Sequence, residues 1–199
     1  MKRQARLERQ TRETRVVVVL CLDGEGRCTV DTGIGFLDHL LEALCLHAGF
    51  DLELECAGDL QVDDHHTAED CALLLGSALD RALGERRGIA RFGTGMAPLD
   101  ESLARAVVDI SGRPSAHIDL GLGREQLGRL ACENVEHVFR SLAIAAQCTL
   151  HLDVLRGEND HHRAEAAAKA LALALRQAVA RRGDERVPST KGVLTGVES

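Results

Sequence analysis

Large aromatic side chains are nearly missing from this chain of 199 residues, which has four phenylalanines and neither tryptophan nor tyrosine. Hydrophobic residues still make up 45% of the sequence and charged residues 28%, the proportions of an ordinary soluble globular protein. A core without large rings must be aliphatic and rich in alanine. We therefore expect helices that approach their neighbours closely.

Apolar runs of membrane-spanning length are also missing, because the longest strand-like run covers only residues 16–22. We expect no membrane association, and a net charge of −7 argues against a nucleic-acid partner. The arginine-rich residues 1–15 lack a cleavage pattern, so we interpret them as a frayed end that leads into the first strand.

Cysteine pairs with C-x-x-C spacing are absent as well, although the chain has seven cysteines. They are scattered through apolar segments, and their number is odd. Both features argue against a disulfide framework or a thiolate metal site. We expect buried free thiols in a protein of the reducing cytoplasm.

A repeated block is the most informative feature that is present. The sequence HHTAE at residues 65–69 recurs as HHRAE at residues 161–165. Further upstream, FLDHLLEAL at residues 36–44 matches NVEHVFRSL at residues 134–142, so an acidic residue followed by histidine leads an apolar helix in both halves. The chain therefore resembles a tandem duplication.

Each half has the pattern strand, strand, acid-His helix, strand, His-His-x-x-Glu helix. Apolar spacing and β-branched runs predict the elements. The predicted helices cover residues 35–47, 65–83, 133–146 and 161–181, and the predicted strands cover residues 14–22, 27–30, 50–56, 103–111, 116–120 and 148–155. Residues 84–98 form the break between the halves.

The fold class that follows is α+β, with two units related by a pseudo-twofold axis and helices packed on one face of each sheet. We interpret residues 1–199 as a single domain. Its first repeat covers about residues 12–90, and its second covers about residues 91–194.

Imidazole and carboxylate groups are the candidate metal ligands. Such a set without thiolate suits manganese, iron, zinc or nickel. Adjacent imidazoles diverge by about 100° on a helix, so the two histidines of each pair are expected to serve different ions. Eight candidates divide into two sites of three imidazoles and one carboxylate: His39, His65, His66, Glu69, His137, His161, His162 and Glu165.

The two halves differ at positions near these candidates. Lys169 follows His161 and Glu165 on one helical face, and His47 follows His39 eight residues on, without counterparts in the other half. The string PSTKG at residues 188–192 offers hydroxyls and an ammonium group for a phosphate. Arg91 and Arg113 offer guanidinium groups for the same anion.

Several long motifs resemble the imidazoleglycerol-phosphate dehydratase family of histidine biosynthesis, in the family's order from about residue 12 to 194. They are GIGFLDHLLEALCLHAGFDLELECAGDLQVDDHHTAED, RFGTGMAPLDESLARAVVDISGRPS, VEHVFRSLA, GENDHHRAEAAAKALALALR and VPSTKG. The resemblance implies a duplicated α+β unit in a shell of 24 subunits, with di-manganese sites between subunits. It also implies a phosphorylated imidazole substrate, which is dehydrated to imidazoleacetol phosphate.

The resemblance also assigns roles to residues. The eight candidates match the family's metal ligands, for two Mn²⁺ per subunit. Glu13, Glu69, Glu165 and His47 are the implied catalytic residues, with Glu13 as the candidate for proton transfer. The implied substrate contacts are Glu13, His39, His47, His65, Glu69, Arg91, Arg113, His161, Lys169, Ser189, Thr190 and Lys191.

Two other classes of function fit the metal ligands taken alone. A di-metal hydrolase would activate a water molecule and would have no special affinity for azole rings. A metal-storage or structural protein would use the ligands only to stabilise an interface. Competition by triazole inhibitors at the metals would favour the dehydratase, and the phosphate-binding residues would be dispensable under either alternative.

Overall fold

The computed structural model describes residues 2–190, 192 and 194 and has an α+β architecture. The first half contains β1 (Gln4–Gln10), β2 (Thr14–Cys21), β3 (Cys28–Asp31), α1 (Gly35–Ala48), β4 (Asp51–Gly58) and α2 (His65–Leu83). The second half contains β5 (Phe92–Leu99), β6 (Ser102–Asp109), β7 (Ser115–Asp119), β8 (Gln126–Leu127), β9 (Leu130–Ala131), α3 (Cys132–Ala145), β10 (Thr149–Arg156) and α4 (Asp160–Ala178).

The two halves build sheets of the same topology. The first sheet has the order β1-β2-β4-β3 and the second has the order β5-β6-β10-β7. In each sheet the last pair is parallel, whereas the other pairs are antiparallel. This correspondence confirms the predicted duplication of an α+β unit.

The four helices lie between the inner faces of the two sheets. Helix α2 packs on β1 and β2, and α4 packs on β5 and β6. The helices also pair across the halves, α1 with α4 and α2 with α3. The alternation in β2 shows why one face of each sheet turns inward, since Val16, Val18 and Leu20 are buried while Val17 and Val19 are half-buried.

The strand count differs from the prediction, because each half has a further leading strand. Residues 4–10 form β1, which pairs along its whole length with β2, so the expectation of a frayed end was wrong. Within β1 only Ala5 is buried, so the sequence lacks the alternation of apolar and polar residues that predicts a strand. Strand β5 occupies much of the predicted break, and the small β8–β9 hairpin was also missed.

The closeness of β5 to α4 explains why glycines lie inside a strand. A Cβ atom at Gly93 or Gly95 would overlap the backbone carbonyl oxygens of Ala174 or Ala170 in α4. Alanines fill the facing side of α4, which confirms the expected core of small side chains in close contact. A single buried hydrophobic cluster joins both halves.

Polar anchors hold the ends of the chain against this core. The Asp23 carboxylate accepts hydrogen bonds from the backbone and side chain of Arg3, and it pairs with Arg181 at 3.1 Å. The Arg3 side chain lowers the pKa of Asp23 well below its usual range. None of the described helices combines the length and the apolar character that a membrane span needs.

All seven cysteines are free thiols, but their burial differs from the expectation. Four are buried, whereas Cys21, Cys28 and Cys56 are partly exposed. Cys21 lies on the outward side of β2, in phase with the half-buried Val17 and Val19. Cys28 and Cys56 alternate in phase with buried residues of β3 and β4 and pack against the core while remaining partly exposed.

Candidate metal centre

Two clusters of histidine and glutamate lie at the helix packing layer, and each draws on both halves of the chain. In the first triad, His39 of α1 meets His161 and Glu165 of α4. In the second triad, His137 of α3 meets His65 and Glu69 of α2. Within each triad, one nitrogen or oxygen atom per residue lies within 4.8 Å of the others.

The first triad converges on the Glu165 carboxylate. Its Oε2 lies 3.0 Å from His39 Nε2 and 3.3 Å from His161 Nε2. Its Oε1 accepts from Lys169 Nζ at 2.7 Å. Burial raises the pKa of Glu165, but the hydrogen bonds from Lys169 and His39 outweigh it and bring the pKa to about 2. Glu165 is therefore ionised at neutral pH and could serve as an anionic metal ligand.

The second triad is arranged in the same way around Glu69. The carboxylate oxygens lie 3.0 Å from His137 Nε2 and 4.0 Å from His65 Nε2. The two imidazoles stack with their centroids 5.0 Å apart. His65 Nδ1 donates to Asn134 Oδ1 at 2.9 Å, which leaves Nε2 free to present its lone pair toward Glu69.

The remaining histidine of each pair faces away from the triads, as expected for adjacent positions on a helix. His66 Nδ1 lies 3.1 Å from Asp59, and His162 Nδ1 lies 2.7 Å from Glu101. Each carboxylate raises the pKa of its histidine. Both histidines have an acceptor at Nδ1, the arrangement that orients metal-binding imidazoles in proteins.

Glu101 is itself held by the start of α4. One of its oxygens accepts from the backbone N–H groups of Glu158 and Asn159, while the other accepts from His162. The Asn159 hydrogen bond and then the His162 hydrogen bond lower the pKa of Glu101 well below its usual range. The second histidine pair is thus tied to the β5–β6 turn.

A cavity of about 400 Å³ opens beside the first triad. Its lining includes His39, His47, Glu165 and Lys169. The structure therefore brings the predicted His47 and Lys169 to the same cavity as one triad. The second triad has a leucine, Leu73, at the position equivalent to Lys169, so the charge at the two triads differs.

The Glu13 carboxylate, predicted to transfer a proton, lies near His66 at the start of α2. It is exposed in the turn between β1 and β2, 3.9 Å from His66 Nε2. Buried Asp70 in α2 fixes this turn by accepting from Thr14 and pairing with Arg9. Helix α2 thereby positions both the histidine and the glutamate.

The predicted phosphate contacts do not all meet at the cavity. Arg91 donates to Asp109 at 2.7 Å and to the carbonyl oxygen of Pro188 at 2.8 Å, so it holds the C-terminal segment. Arg113 is exposed in the turn after β6, and Ser189 and Thr190 follow Pro188. None of these four predicted contacts lines the cavity, and Lys191 lies outside the described residues.

The residues that support the histidines were missed from the sequence. Asn134 could have been placed near the second triad, because it precedes His137 by three residues on one helix face, but its contact with His65 on α2 could not have been predicted. Asp59 and Glu101 carried none, since each lies in a turn and reaches its histidine only through the tertiary fold.

Comparisons with known proteins agree on one family. A family model described as imidazoleglycerol-phosphate dehydratase matches residues 32–175. A protein of that name from Phytophthora nicotianae is 59% identical over 192 residues, which cover 96% of this chain but only 42% of that protein. Another from Scheffersomyces stipitis is 49% identical, covering 98% of this chain and the whole of that protein.

Solved structures give the same result. The crystal structure of imidazoleglycerol-phosphate dehydratase from Staphylococcus aureus has a TM-score of 0.81 and 36% identity, covering 89% of this chain and 99% of that one. The Pyrococcus furiosus structure has a TM-score of 0.80 and 37% identity, covering 94% of this chain and 100% of that one.

Proposed function

The chain belongs to the imidazoleglycerol-phosphate dehydratase family, and from that premise we propose how its residues serve the family reaction. The reaction removes water from imidazoleglycerol phosphate and gives imidazoleacetol phosphate, a hydro-lyase step of histidine biosynthesis. The observation that carries this function is the pair of triads, the first of which lies beside a cavity that also contains Lys169. Such a cavity offers metal ligands for an imidazole ring and a cation for a phosphate.

We propose that each triad holds one Mn²⁺. Two imidazole nitrogens and one carboxylate oxygen, already within 4.8 Å of one another, suit a divalent ion of intermediate to hard character. Three ligands leave coordination positions open for substrate. When bound, the ions would supply positive charge that makes an imidazole ring more acidic.

The side chains around the first triad have separate tasks. Glu165 stays ionised and holds Lys169 at the cavity wall, where its ammonium group can meet the substrate phosphate. His47 lies exposed in the last turn of α1 and lines the same cavity, so it can contact the substrate. We propose five further phosphate contacts: Arg91, Arg113, Ser189, Thr190 and Lys191.

Proton transfer at the carbon chain is proposed for Glu13. Its exposed carboxylate is accessible to substrate, and the contacts of α2 with the β1–β2 turn fix its position beside His66. Glu69 and Glu165 are the carboxylates of the two triads, and their proposed catalytic role is to hold the ions.

The outward-facing histidines support self-association. His66 and His162 each present Nε2 away from the triads of their own chain, toward exposed carboxylates at 3.9 Å and 3.8 Å. We propose that they complete the ion coordination of neighbouring subunits in a 24-subunit shell. Removal of Mn²⁺ should then dissociate the shell, which light scattering would detect as a fall in mass.

Seven free thiols fit a reducing compartment, so we propose a cytoplasmic protein. We also propose one domain built of repeats over about residues 12–90 and 91–194.

The decisive experiment is turnover of imidazoleglycerol phosphate by chelator-stripped protein, before and after addition of Mn²⁺, with the phosphorylated ketone as product. We expect ketone only with Mn²⁺. We also expect its loss in Glu69→Gln and Glu165→Gln, because each amide replaces an anionic ligand by a neutral one of the same shape. Glu53→Gln, on an exposed position of β4, is the matched control and should retain activity.

The two alternative functions predict different results. A di-metal hydrolase would release inorganic phosphate or another hydrolysis product, and a triazole would not compete for its metals. A storage protein would bind Mn²⁺ without turnover. Absence of ketone from folded, Mn²⁺-loaded protein would contradict the proposal.

A further inference from the structure

Arg86 is a buried arginine that has no part in the proposed dehydration. It follows α2 in the connection between the two halves, and only 2% of it is exposed. Arginine is almost never buried to this extent unless its guanidinium group is paired. The backbone φ of Arg86 is 56°, in the left-handed region that residues other than glycine seldom adopt. The fold thus retains a strained backbone and a desolvated charge at this position, and the contacts of Arg86 must offset both.

The guanidinium group joins the end of α2 to the C-terminal segment (residues 188–190, 192 and 194). Its Nη2 donates to Asp80, in the last turn of α2, at 2.5 Å. Its Nη1 donates to the backbone carbonyl oxygen of Leu194. The side chain of Leu194 is also buried, with 3% of the residue exposed. Leu194 is therefore anchored both by its side chain and by its carbonyl group.

Arg91 anchors the same segment at its other end. Its Nη1 donates to the carbonyl oxygen of Pro188 at 2.8 Å. Arg91 follows Arg86 by five residues, so the short connection between the halves supplies the anchors at both ends of the segment. Between these anchors lie Ser189 and Thr190, two of the proposed phosphate contacts. Because both ends are fixed, the two hydroxyl groups have few positions available to them.

The turn after β6 makes room for the anchor at Leu194. A Cβ atom at Gly112 would overlap the Leu194 carbonyl oxygen and would lie 2.6 Å from Arg86 Nη1. Only glycine therefore allows this hydrogen bond to form against the turn. Gly112 directly precedes Arg113, another proposed phosphate contact. The anchor thus holds the C-terminal segment against the turn that carries Arg113.

We propose that Arg86 is a positioning residue for phosphate binding, which fixes the C-terminal segment so that the hydroxyl groups of Ser189 and Thr190 meet the substrate phosphate. Arg86 itself does not touch the substrate, because its guanidinium group is buried and bonded to Asp80 and Leu194. This inference rests on the proposed function, since it requires a phosphorylated substrate that the segment holds.

Release of the segment should weaken substrate binding and leave the chemical step unchanged. Without the Arg86 anchor, the substrate phosphate must order the segment during binding, and this ordering costs binding free energy. We expect KM for imidazoleglycerol phosphate to rise about tenfold, the change that ordering about one residue produces. Once bound, the substrate meets the same triads, so kcat should stay within about twofold of wild type.

The experiment compares two neighbouring arginines in the full-length, Mn²⁺-loaded protein. Arg86→Met removes both hydrogen bonds and keeps a similar side-chain length. Arg87→Met is the matched control, because Arg87 is exposed and pairs only with Glu85 among the residues that the structure describes. KM should rise in Arg86→Met alone. Competitive inhibition by inorganic phosphate should weaken by the same factor, because phosphate alone meets the same segment.

Arg86→Lys provides a second test that does not leave Asp80 without a buried partner. Lysine keeps the positive charge but lacks the planar fork that donates to Asp80 and Leu194 at once. We expect KM to lie between those of wild type and Arg86→Met, again with kcat retained. If Arg86→Met does not fold, the KM and kcat of Arg86→Lys decide the proposal.

The outcomes separate this inference from the proposed function. Ketone formation by wild type together with an unchanged KM in folded Arg86→Met would overturn the inference, and so would a loss of kcat at constant KM. A purely structural role for Arg86 predicts a less stable protein whose folded fraction keeps the wild-type KM. Failure of the proposed function would appear differently, since wild type itself would then form no ketone.

Discussion

Replacement of Asn134 by alanine should weaken Mn²⁺ binding at the second triad without affecting the first. Asn134 is 4% exposed and lies one turn before His137 in α3, so its amide is fixed by packing. Its Oδ1 accepts from His65 Nδ1 at 2.9 Å and thereby determines which ring nitrogen of His65 presents a lone pair. Alanine removes this acceptor and leaves the ring free to change tautomer and rotate.

The contacts of His65 indicate how much Mn²⁺ affinity the substitution should remove. Loss of a hydrogen bond that orients a metal-binding histidine costs roughly 10–100-fold in metal affinity. His65 also stacks on His137 with centroids 5.0 Å apart, and this contact survives the substitution. We therefore expect the lower end, about tenfold, which corresponds to about 1.4 kcal/mol of binding free energy.

Titration of chelator-stripped protein with Mn²⁺, followed by the electron paramagnetic resonance of the free ion, measures both sites in one experiment. Wild type should show two sites, and Asn134→Ala should show one of them weakened. Asn134→Asp keeps an acceptor at the same position and should restore the affinity. Unchanged binding in Asn134→Ala, or equal weakening of both sites in a folded protein, would refute the reasoning.

Three further predictions concern the core, the termini and the first triad. Gly95→Ala should lower the free energy of unfolding by about 3 kcal/mol, because its Cβ would meet the backbone of α4; Gly35→Ala, which has open space, is the control in denaturant titrations. Asp23→Asn should lose about 1 kcal/mol of stability at neutral pH after allowance for solvent screening. Since the pKa of Asp23 is lowered in the folded chain, this difference is present above its ordinary value of 3.8 and should shrink as pH falls below it; a difference that grows in acid would contradict the ion pair. Lys169→Met should raise the pKa of Glu165 from about 2, as followed by carbon NMR of the metal-free carboxyl group, and an unchanged pKa would assign the effect to histidine alone.

Elements with strong periodicity could be predicted from the sequence. Helix α2 begins and ends at the predicted residues, and the boundaries of α1 and α3 differ by one residue at most at each end. Helix α4 ends three residues earlier than predicted. Each of these helices buries one face, so its apolar spacing reports its structure directly.

Strands β1 and β5 could not be predicted by the same reasoning. In β1 most side chains are exposed, and pairing with β2 alone keeps it extended. In β5 the buried positions include Gly93 and Gly95, which local rules assign to turns. A side chain at either glycine would overlap the backbone of α4, which is distant in sequence.

The sequence predicted which residues belong to the candidate site, but it did not predict which of them lie close to one another. The repeat identified the histidines and glutamates, since both copies keep them. It could not show that His39 approaches Glu165, which lies 126 residues further along the chain. The described residues form triads of two imidazoles and one carboxylate, while His66 and His162 lie apart from them.

The crossed composition of the triads bears on how such a chain could have arisen. Because each triad takes one histidine from one half and a histidine and glutamate from the other, a single half on its own could not assemble either triad. An ancestor of half this length would have needed a second copy of itself, and that dimer would have carried two identical triads. In a single fused chain each triad can differ from the other, and Lys169, which has Leu73 as its counterpart in the first half, is such a difference.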